Sequence, residues 1–413
     1  MIDIRNYAVV TAAYWGFTLT DGALRMLVLL HFHTLGYSPL ELAFLFMLYE
    51  FFGVVTNLLG GWIGSRFGLR ITLYAGLALQ VVALWMLSQL DPAWSKLSSV
   101  AFVVAAQGLS GIAKDLTKMS SKSAIKLVVP DDAHSTLFKW VALLTGSKNA
   151  LKGAGFFLGG FLLAALGFEQ SLWVMAGALA AVLLACVAFL RTDLGKAKTK
   201  VKFTQILSKT RAINLLSAAR FFLFGARDVW FVVGVPIFLY EALGWSFTEV
   251  GGFLAVWVIG YGVVQAAAPT VVKRSADGRS AETKAAQLGA FLLTAIPIAI
   301  VAALEAGLEP AVAVVGGLAL FGVVFAYNSS VHSYLILTYT DTDKVALNVG
   351  FYYMANAGGR LAGSLLSGLS YQLWGLTGCL LTASALLAMA GLITIALSAE
   401  QRGLASGEVS DPG

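Results

Sequence analysis

Charged side chains interrupt the long apolar stretches of this 413-residue sequence. Nine lysines and arginines lie within or at the edges of these stretches, against four acids, so the stretches carry a net charge of +5. The cations are Arg25, Lys114, Lys118, Lys139, Lys148, Lys152, Arg220, Arg227 and Arg360, and the acids are Asp21, Glu50, Asp115 and Asp228. A charge near the centre of a bilayer costs roughly 2.5–3.5 kcal/mol even on a lenient scale. Several of these cations must therefore face water or await an anion.

Lysines recur at four-residue intervals in two neighbouring stretches, which places each set on one face of a helix. The first set is Lys114, Lys118, Lys122 and Lys126, and the second is Lys148 and Lys152. Snorkelling to the membrane interface accounts for Lys122, Lys126 and Lys139. It suits Lys148 and Lys152 poorly, because they lie about 14–20 Å past the start of their span by helical rise. We therefore expect a central anion site that includes Lys148 and Lys152, with Lys114 and Lys118 as further contacts.

The other charged residues within the spans could assist substrate binding or couple protons to transport. Asp21 and Arg25, four residues apart, either neutralise each other or act separately. Arg227 and Asp228 are adjacent and should point in different directions on a helix, so each is expected to have a partner elsewhere. The residues predicted to assist substrate binding are Arg25, Arg227 and Arg360. The candidates for proton coupling are Asp21, Glu50 and Asp228.

The elements that must position these ions are membrane-spanning helices. Hydrophobic residues make up 58% of the sequence and charged residues 12%, with a mean hydropathy of +0.80. A soluble domain carries about 25% charged residues, and a β-barrel needs alternating rather than continuous apolar segments. The sequence predicts an all-α membrane protein with twelve spans. They are 8–34, 39–60, 70–90, 98–121, 137–165, 171–190, 213–242, 247–270, 286–306, 310–337, 346–370 and 376–398.

Two six-helix halves are predicted from an internal repeat. LGYSPLEL at 35–42 matches LGWSFTEV at 243–250, an offset that also places Lys152, Gly155 and Gly160 on Arg360, Gly363 and Gly368. The predicted segments are an N-terminal half at 1–190, a basic linker at 191–212, a C-terminal half at 213–398 and a tail at 399–413. Copies with the same orientation place a substrate site between them.

Basic residues in the connections predict the orientation of the chain. With both termini in the cytoplasm, eighteen lysines and arginines lie on the cytoplasmic side and only Lys96 on the other. This distribution predicts that both termini are cytoplasmic, and the expected location is the bacterial inner membrane. It also explains the pI of about 9.2 by the anionic inner leaflet, without nucleic acid.

The sequence contains no recognisable motif for disulfide, metal-binding or catalytic chemistry. Cys186 and Cys379 lie in apolar stretches and form no predicted disulfide or metal site. The four histidines are expected to be satisfied or solvated. Protease, hydrolase and nucleotide-binding motifs are absent from the sequence, which therefore predicts no catalytic residue, metal or cofactor. The N-terminus has no secretory signal pattern, so the first span is expected to be retained.

Two short motifs resemble signatures of the major facilitator superfamily. GGWIGSRFGLR at 60–70 resembles its cytoplasmic loop signature, with Gly61, Ser65, Arg66, Gly68 and Arg70 at the signature positions. Ser65 stands where that family usually has an acid. GFFLGG at 155–160 resembles the family's antiporter signature, although Phe156 replaces its proline; a glycine-rich packing face explains the same residues. The resemblance implies the major facilitator fold.

A narrower resemblance covers mainly residues 1–170. Residues 19–62, GLSGIAKDLTKMSSKSAIKLVVPDD at 108–132 and WVALLTGSKNALKGAGFFLGG at 140–160 are similar to organoarsenical efflux permeases of that superfamily; RLAGSLLSG at 360–368 matches more weakly. That family expels 1-arseno-3-phosphoglycerate, which glyceraldehyde-3-phosphate dehydrogenase makes from arsenate. The resemblance implies that this dehydrogenase is a functional partner.

The sequence thus predicts a secondary exporter of a small phosphate–arsenate ester that confers arsenate resistance by alternating access. One alternative is a general organic-anion or drug:proton antiporter. An alternative of another class is a membrane sensor or enzyme that transports nothing.

Overall fold

The computed structural model describes residues 4–124, 134–190, 210–271, 280–340 and 345–406, and regular structure in these ranges is helical. The helices are α1 (Ile4–Thr34), α2 (Pro39–Leu45), α3 (Met47–Phe67), α4 (Leu69–Ser88), α5 (Lys96–Ala124), α6 (His134–Phe189), α7 (Arg211–Val229), α8 (Val235–Glu241), α9 (Phe247–Val271), α10 (Ser280–Glu305), α11 (Pro310–Thr338) and α12 (Val345–Ser406). A π-helical turn, Trp230–Gly234, joins α7 to α8.

The twelve predicted spans are present in this arrangement, so the all-α fold prediction is confirmed. Nine stretches in the described part of the chain are long and apolar enough to cross a bilayer. Two of them, Ser147–Phe189 and Asn348–Ala399, are long enough for two crossings each. The remaining span is α1, which is 31 residues long and carries Asp21 and Arg25.

Single glycines divide α6 and α12 into two spans each. Gly167 has φ 77° and Gly375 has φ 62°, and both lie within otherwise helical segments. A residue with a Cβ is strained at such angles, so glycine is the residue that allows the chain to reverse there. These two positions are separated by the 208-residue offset of the sequence repeat, which means that the duplication extends to the local backbone.

The described chain forms two compact units. Unit 1 comprises Met1–Tyr37, Phe44–Lys200 and Gly244–Ile259, and unit 2 comprises Ser38–Ala43, Val201–Leu243 and Gly260–Gly413. The first part of α9 therefore clusters with unit 1, and the start of α2 with unit 2. Most of the predicted linker, 191–209, and the end of the predicted tail, 407–413, lie outside the described residues. The four-part division made from the sequence stays a prediction.

Close backbone packing joins the helices that carry the candidate ions. In unit 1, a Cβ on Gly155 of α6 would lie 2.5 Å from the carbonyl oxygen of Leu19 in α1. In unit 2, Gly363 of α12 packs on the backbone of Gly225 in α7. Small residues let helix backbones approach in this way in lipid. Gly155 and Gly363 are also related by the repeat offset of 208 residues. Equivalent glycines therefore allow close helix packing within each unit.

A second repeated contact involves the ends of α2 and α9. Gly160 of α6 packs on the carbonyl oxygen of Phe247, and Gly368 of α12 packs on that of Pro39. Both glycines and both partners are related by the offset of 208. The first contact lies within unit 1 and the second within unit 2.

Large apolar side chains are exposed on both units. Leu184 is 68% exposed, Val256 72% and Leu288 71%. Apolar surface of this kind, spread along spans of twenty or more residues, suits contact with lipid.

Candidate functional site

Each unit holds a cluster of ions and polar side chains, and the two clusters are described separately. In unit 1, the guanidinium of Arg25 in α1 pairs with Glu50 in α3, with 3.0 Å between Nη1 and Oε1. Both side chains are buried. Arg25 also lies over the ring of Phe46, with 5.1 Å from its guanidinium carbon to the ring centroid. This cation of α1 therefore contacts an aromatic ring from the turn between α2 and α3 and a carboxylate of α3.

Asp21 does not neutralise Arg25 in the structure. The hydroxyl of Tyr49 donates to Asp21 Oδ1 at 2.7 Å, and both groups are buried. Asp21 and Arg25 share a face of α1, but Arg25 reaches Glu50 instead. The pairing hypothesis drawn from their spacing is therefore wrong, and the alternative, that the two act separately, stays a prediction.

The lysines of α5 meet polar residues of α3. Lys114 Nζ lies 3.8 Å from the ring centroid of Tyr49, so Tyr49 contacts Asp21 through its hydroxyl and Lys114 through its ring. Lys118 lies 3.4 Å from Asp115 and donates to the side-chain oxygen of Asn57 at 3.1 Å. The structure therefore links Asp21 and Lys114 through Tyr49, whereas Lys118 contacts Asp115 and Asn57.

Sequence reasoning missed three polar contributors from α3. Tyr49 and Asn57 are described above, and Thr56 donates to Asp115 in a short hydrogen bond. Gly53 of α3 faces α5 near these groups, and a Cβ there would make ordinary contact with Lys114 Nζ at 3.6 Å. Polar residues inside an otherwise apolar span were the available signal, since burying them costs free energy unless they find partners.

Lys148 and Lys152 lie on the same face of α6 and are half-buried. Lys152 Nζ lies 5.8 Å from the ring centroid of Phe156, one turn further along the helix. Next to Lys148, Ser147 accepts a hydrogen bond of 3.0 Å from Trp15 Nε1, which ties this polar stretch to α1. The side chains of Lys122, Lys126 and Lys139 lie outside the described residues, so their predicted snorkelling stays a prediction.

In unit 2, one carboxylate holds two arginines. Arg227 donates from Nε to Asp228 Oδ1 at 2.7 Å, and Arg360 donates from Nε to Asp228 Oδ2 at 3.2 Å. Asp228 is buried. The expectation that the adjacent Arg227 and Asp228 point in different directions is wrong, because the long side chain of Arg227 folds back to its neighbour; Arg227 also lies over the ring of Phe325 in α11, with 5.9 Å from its guanidinium carbon to the ring centroid. Asp228 has a partner elsewhere, as expected, because it also binds Arg360 of α12.

Excess positive charge remains in both clusters after this pairing. Unit 1 has five described cations in its spans (Arg25, Lys114, Lys118, Lys148 and Lys152) and three acids (Asp21, Glu50 and Asp115). Of the ions that the sequence predicts within the spans, unit 2 has three described cations (Arg220, Arg227 and Arg360) and one acid, Asp228. Each unit therefore keeps an excess of two positive charges among these residues, an arrangement suited to an anion.

The loop signature lies at the junction of α3 and α4. Gly68 connects the two helices with φ 81° and ψ 155°, a conformation that favours glycine. Arg70 lies in the first turn of α4. Gly61, Ser65 and Arg66 lie in the last turns of α3, where side chains are outside the described residues.

Cys186 and Cys379 are both free thiols and buried, one in each unit. Within the described ranges, no group of three or more histidines, cysteines and acids could hold a metal ion.

Several transporters are among the solved structures that are similar to this chain. A POT family transporter in complex with 5-aminolevulinic acid is 14% identical, with a TM-score of 0.74 and 96% of each chain covered. The human organic anion transporter MFSD10 (TETRAN) is 17% identical, with a TM-score of 0.63, covering 94% of this chain and 99% of its own. A bacterial homologue of the iron transporter ferroportin, in an inward-facing state, is 14% identical with a TM-score of 0.70, covering 96% and 100%. Identities this low show the fold alone.

No curated protein matches the sequence. The sequence pattern of the Major Facilitator Superfamily matches residues 8–331, which is more than half of the chain. Together with the twelve spans and their repeat, this match shows that the chain is a multi-pass membrane transporter that belongs to the Major Facilitator Superfamily.

Proposed function

We propose that this transporter exports a small organic phosphate–arsenate ester, 1-arseno-3-phosphoglycerate, by alternating access and so confers arsenate resistance. The observation that carries the proposal is that, among the described ions predicted to lie within the spans, cations outnumber acids in each unit. An ester with a phosphate at one end and an arsenate at the other carries more than one negative charge. Lysine acts toward such groups as a point charge and arginine as a fork.

The proposed contacts follow from the two clusters. The proposed substrate contacts are four lysines, Lys148, Lys152, Lys114 and Lys118. Their ammonium groups bind an oxyanion directly. Arg25, Arg227 and Arg360 assist, each held in place by a carboxylate.

Three acids are proposed to couple protons to transport. Glu50 and Asp228 each neutralise arginine, so a proton on either carboxyl group would remove the charge that holds its partner. Asp21 accepts from Tyr49, whose ring contacts Lys114, so its protonation would change the surroundings of that lysine. Protonation would in this way be linked to the cations that receive the anion.

The choice of ester rests on the sequence resemblance to organoarsenical permeases. The chemistry agrees with that choice, because an oxyanion ester needs cations and no thiolate, and both cysteines are buried. Glyceraldehyde-3-phosphate dehydrogenase would be the functional partner that supplies the ester. The proposed location is the bacterial inner membrane, with both termini in the cytoplasm.

Everted membrane vesicles test the proposal directly. The ester is generated outside the vesicles by the dehydrogenase from arsenate and glyceraldehyde 3-phosphate, and trapped arsenic is measured. We expect saturable uptake that requires both arsenate and the dehydrogenase. Lys148→Gln or Lys152→Gln should each raise the half-saturating concentration about ten- to a hundredfold, the loss of one charge-assisted hydrogen bond. Lys284→Gln, which removes an exposed cation of unit 2, is the matched control.

The same vesicles separate the alternatives. Equal uptake of 3-phosphoglycerate without arsenate would favour a general organic-anion antiporter. A membrane sensor or enzyme would move neither compound. Reporters fused after Leu194 and at Gly413 test the orientation, and a periplasmically active alkaline phosphatase at either position would refute it.

A further inference from the structure

Arg220 in α7 is a buried arginine to which the proposed function assigns no role. It lies nine residues past Arg211, the first residue of α7, or about 14 Å by helical rise, and is only 3% exposed. Its Nη1 donates to the carbonyl oxygen of Ser329 at 3.0 Å and to the Ser329 hydroxyl at 3.1 Å. Phe224 and Tyr352 flank it, with 4.0 and 5.1 Å from the guanidinium carbon to their ring centroids. At this depth and burial, Arg220 cannot reach an aqueous interface by snorkelling.

No carboxylate lies within ion-pair distance of Arg220 in the described part of the chain. Arg25, Arg227 and Arg360 differ in this respect, since each contacts Glu50 or Asp228. The partners of Arg220 are instead neutral oxygens and ring faces, and its buried Nε has no hydrogen-bond partner. A buried cation left without a counter-charge is unfavourable by several kcal/mol unless something compensates it.

Further polar groups surround the guanidinium. His332 lies on α11 one turn after Ser329, within electrostatic range of Arg220, and is 1% exposed. Neither ring nitrogen of His332 has a hydrogen-bond partner. The hydroxyl of Tyr261 in α9 donates to the Ser329 hydroxyl at 3.3 Å. Side chains of α7, α9 and α11, all within unit 2, therefore converge on one point and include unused donors.

We propose that Arg220, His332 and Ser329 form a binding site for a phosphoryl-type oxyanion within unit 2. The Nε edge of a guanidinium fork matches two oxygens of an oxyanion. An imidazole N–H and a serine hydroxyl can donate to a third oxygen, which a phosphate monoester has and a carboxylate lacks. The number of donors therefore favours phosphate over carboxylate.

Tyr261 is the partly exposed member of the cluster. It is half-buried, whereas Arg220, Ser329 and His332 are fully buried, so it lies at the edge of the site. Its hydrogen bond to Ser329 is long, and its ring is tilted at 41° against Phe325. In the proposed site, an arriving anion replaces the hydrogen bond of Tyr261 to Ser329 and the contacts that Ser329 makes with Arg220.

The inference requires only a phosphoryl group and not the arsenate ester. Where that ester is the ligand, its phosphate end is the group that binds here, and to that extent the inference rests on the proposed function. Different results would refute the proposed function and the phosphoryl site. Phosphate binding without uptake of the arsenical would refute the proposed function alone. Unaltered uptake and phosphate binding in an Arg220 variant would refute the site alone.

Equilibrium binding to the purified full-length protein in detergent tests the site. The probe is radiolabelled 3-phosphoglycerate, with inorganic phosphate and acetate as competitors and Arg220→Met, Arg220→Lys and Lys284→Gln as variants. We expect phosphate but not acetate to compete, Arg220→Met to weaken binding about ten- to a hundredfold, and Lys284→Gln to bind normally. Arg220→Lys should retain part of the affinity, because it keeps the charge but loses the fork.

Thermal unfolding without ligand distinguishes a binding role from a structural one. Replacing an uncompensated cation by an apolar side chain of similar length should leave the unfolding temperature of Arg220→Met equal to or above that of the wild type. A lower unfolding temperature with unchanged affinity for phosphate would overturn the proposal, as would equal competition by acetate or no binding to the wild type. Should Arg220→Met not fold, His332→Leu replaces it, with weaker phosphate binding expected and unchanged binding contradicting the site.

Discussion

Replacing Glu50 should show how much its buried ion pair with Arg25 contributes to the free energy of unfolding. In Glu50→Gln, Arg25 keeps a neutral acceptor but loses its carboxylate partner. The two side chains are 10% and 1% exposed and 3.0 Å apart, so solvent screens the pair weakly. Breaking a buried pair by removing one member typically costs about 3–5 kcal/mol. We expect about 3 kcal/mol here, since the amide still accepts one hydrogen bond; this is roughly a 150-fold change in the unfolding equilibrium.

The pair should respond asymmetrically to substitution. Arg25→Gln leaves a carboxyl group that can take up a proton, whereas Glu50→Gln leaves a guanidinium that cannot lose one. Glu50→Gln should therefore be the more destabilising of the two. The double variant with glutamine at both positions should lie within about 1 kcal/mol of the wild type, because neither residue then carries a buried charge.

Unfolding by SDS in mixed micelles measures these differences on purified protein. Asp21→Asn serves as the control, because an asparagine oxygen still accepts from Tyr49 and no arginine depends on it. We expect that control to change the free energy of unfolding by less than about 1 kcal/mol. Wild-type stability in Glu50→Gln, or equal losses in Glu50→Gln and Asp21→Asn, would refute the assignment of Glu50 as the partner of Arg25.

Three other predictions follow from particular contacts. Asp228→Asn should lower both thermal stability and transport, because it removes the carboxylate shared by two arginines, and a melting curve like that of the wild type would contradict this. Gly368→Ala should destabilise the protein by about 1–3 kcal/mol in the same SDS titration, since a Cβ there meets the backbone of α2, whereas Gly177→Ala has open space and should not. Replacing Cys186 and Cys379 together by serine should leave arsenate resistance nearly intact at equal protein level; lost resistance would indicate a thiol-bound substrate.

Much of the fold could be predicted because bilayer thickness sets the length of an apolar span. The repeat was also readable, since Gly155 and Gly363 perform the same packing role at positions 208 apart. The break within α6 was predicted as a gap between two spans, at 165 and 171. The structure adds that a single residue, Gly167, makes this turn without a loop.

The ion pairs could not be predicted with the same success. Spacing along one helix shows which side chains share a face, but an arginine has a long, flexible stem that can select among several neighbours. Arg25 therefore reaches Glu50, 25 residues away, rather than Asp21, and Arg227 folds back onto Asp228. Partners such as Tyr49 depend on how α1, α3 and α5 pack, which no local pattern encodes.

The loopless turn at Gly167 has a consequence for how the protein enters the membrane during synthesis. The two legs of α6 are joined by one residue, so the second leg follows the first without a polar segment at which insertion could pause. The leg that carries Lys148 and Lys152 is the less favourable of the two in hydrocarbon, and the leg from 168 to 189 contains no charged residue except Glu169. Entry as a helical hairpin lets the second leg carry the first across. Mutations that weaken the hydrophobicity of the second leg should therefore reduce the yield of inserted protein without touching any lysine.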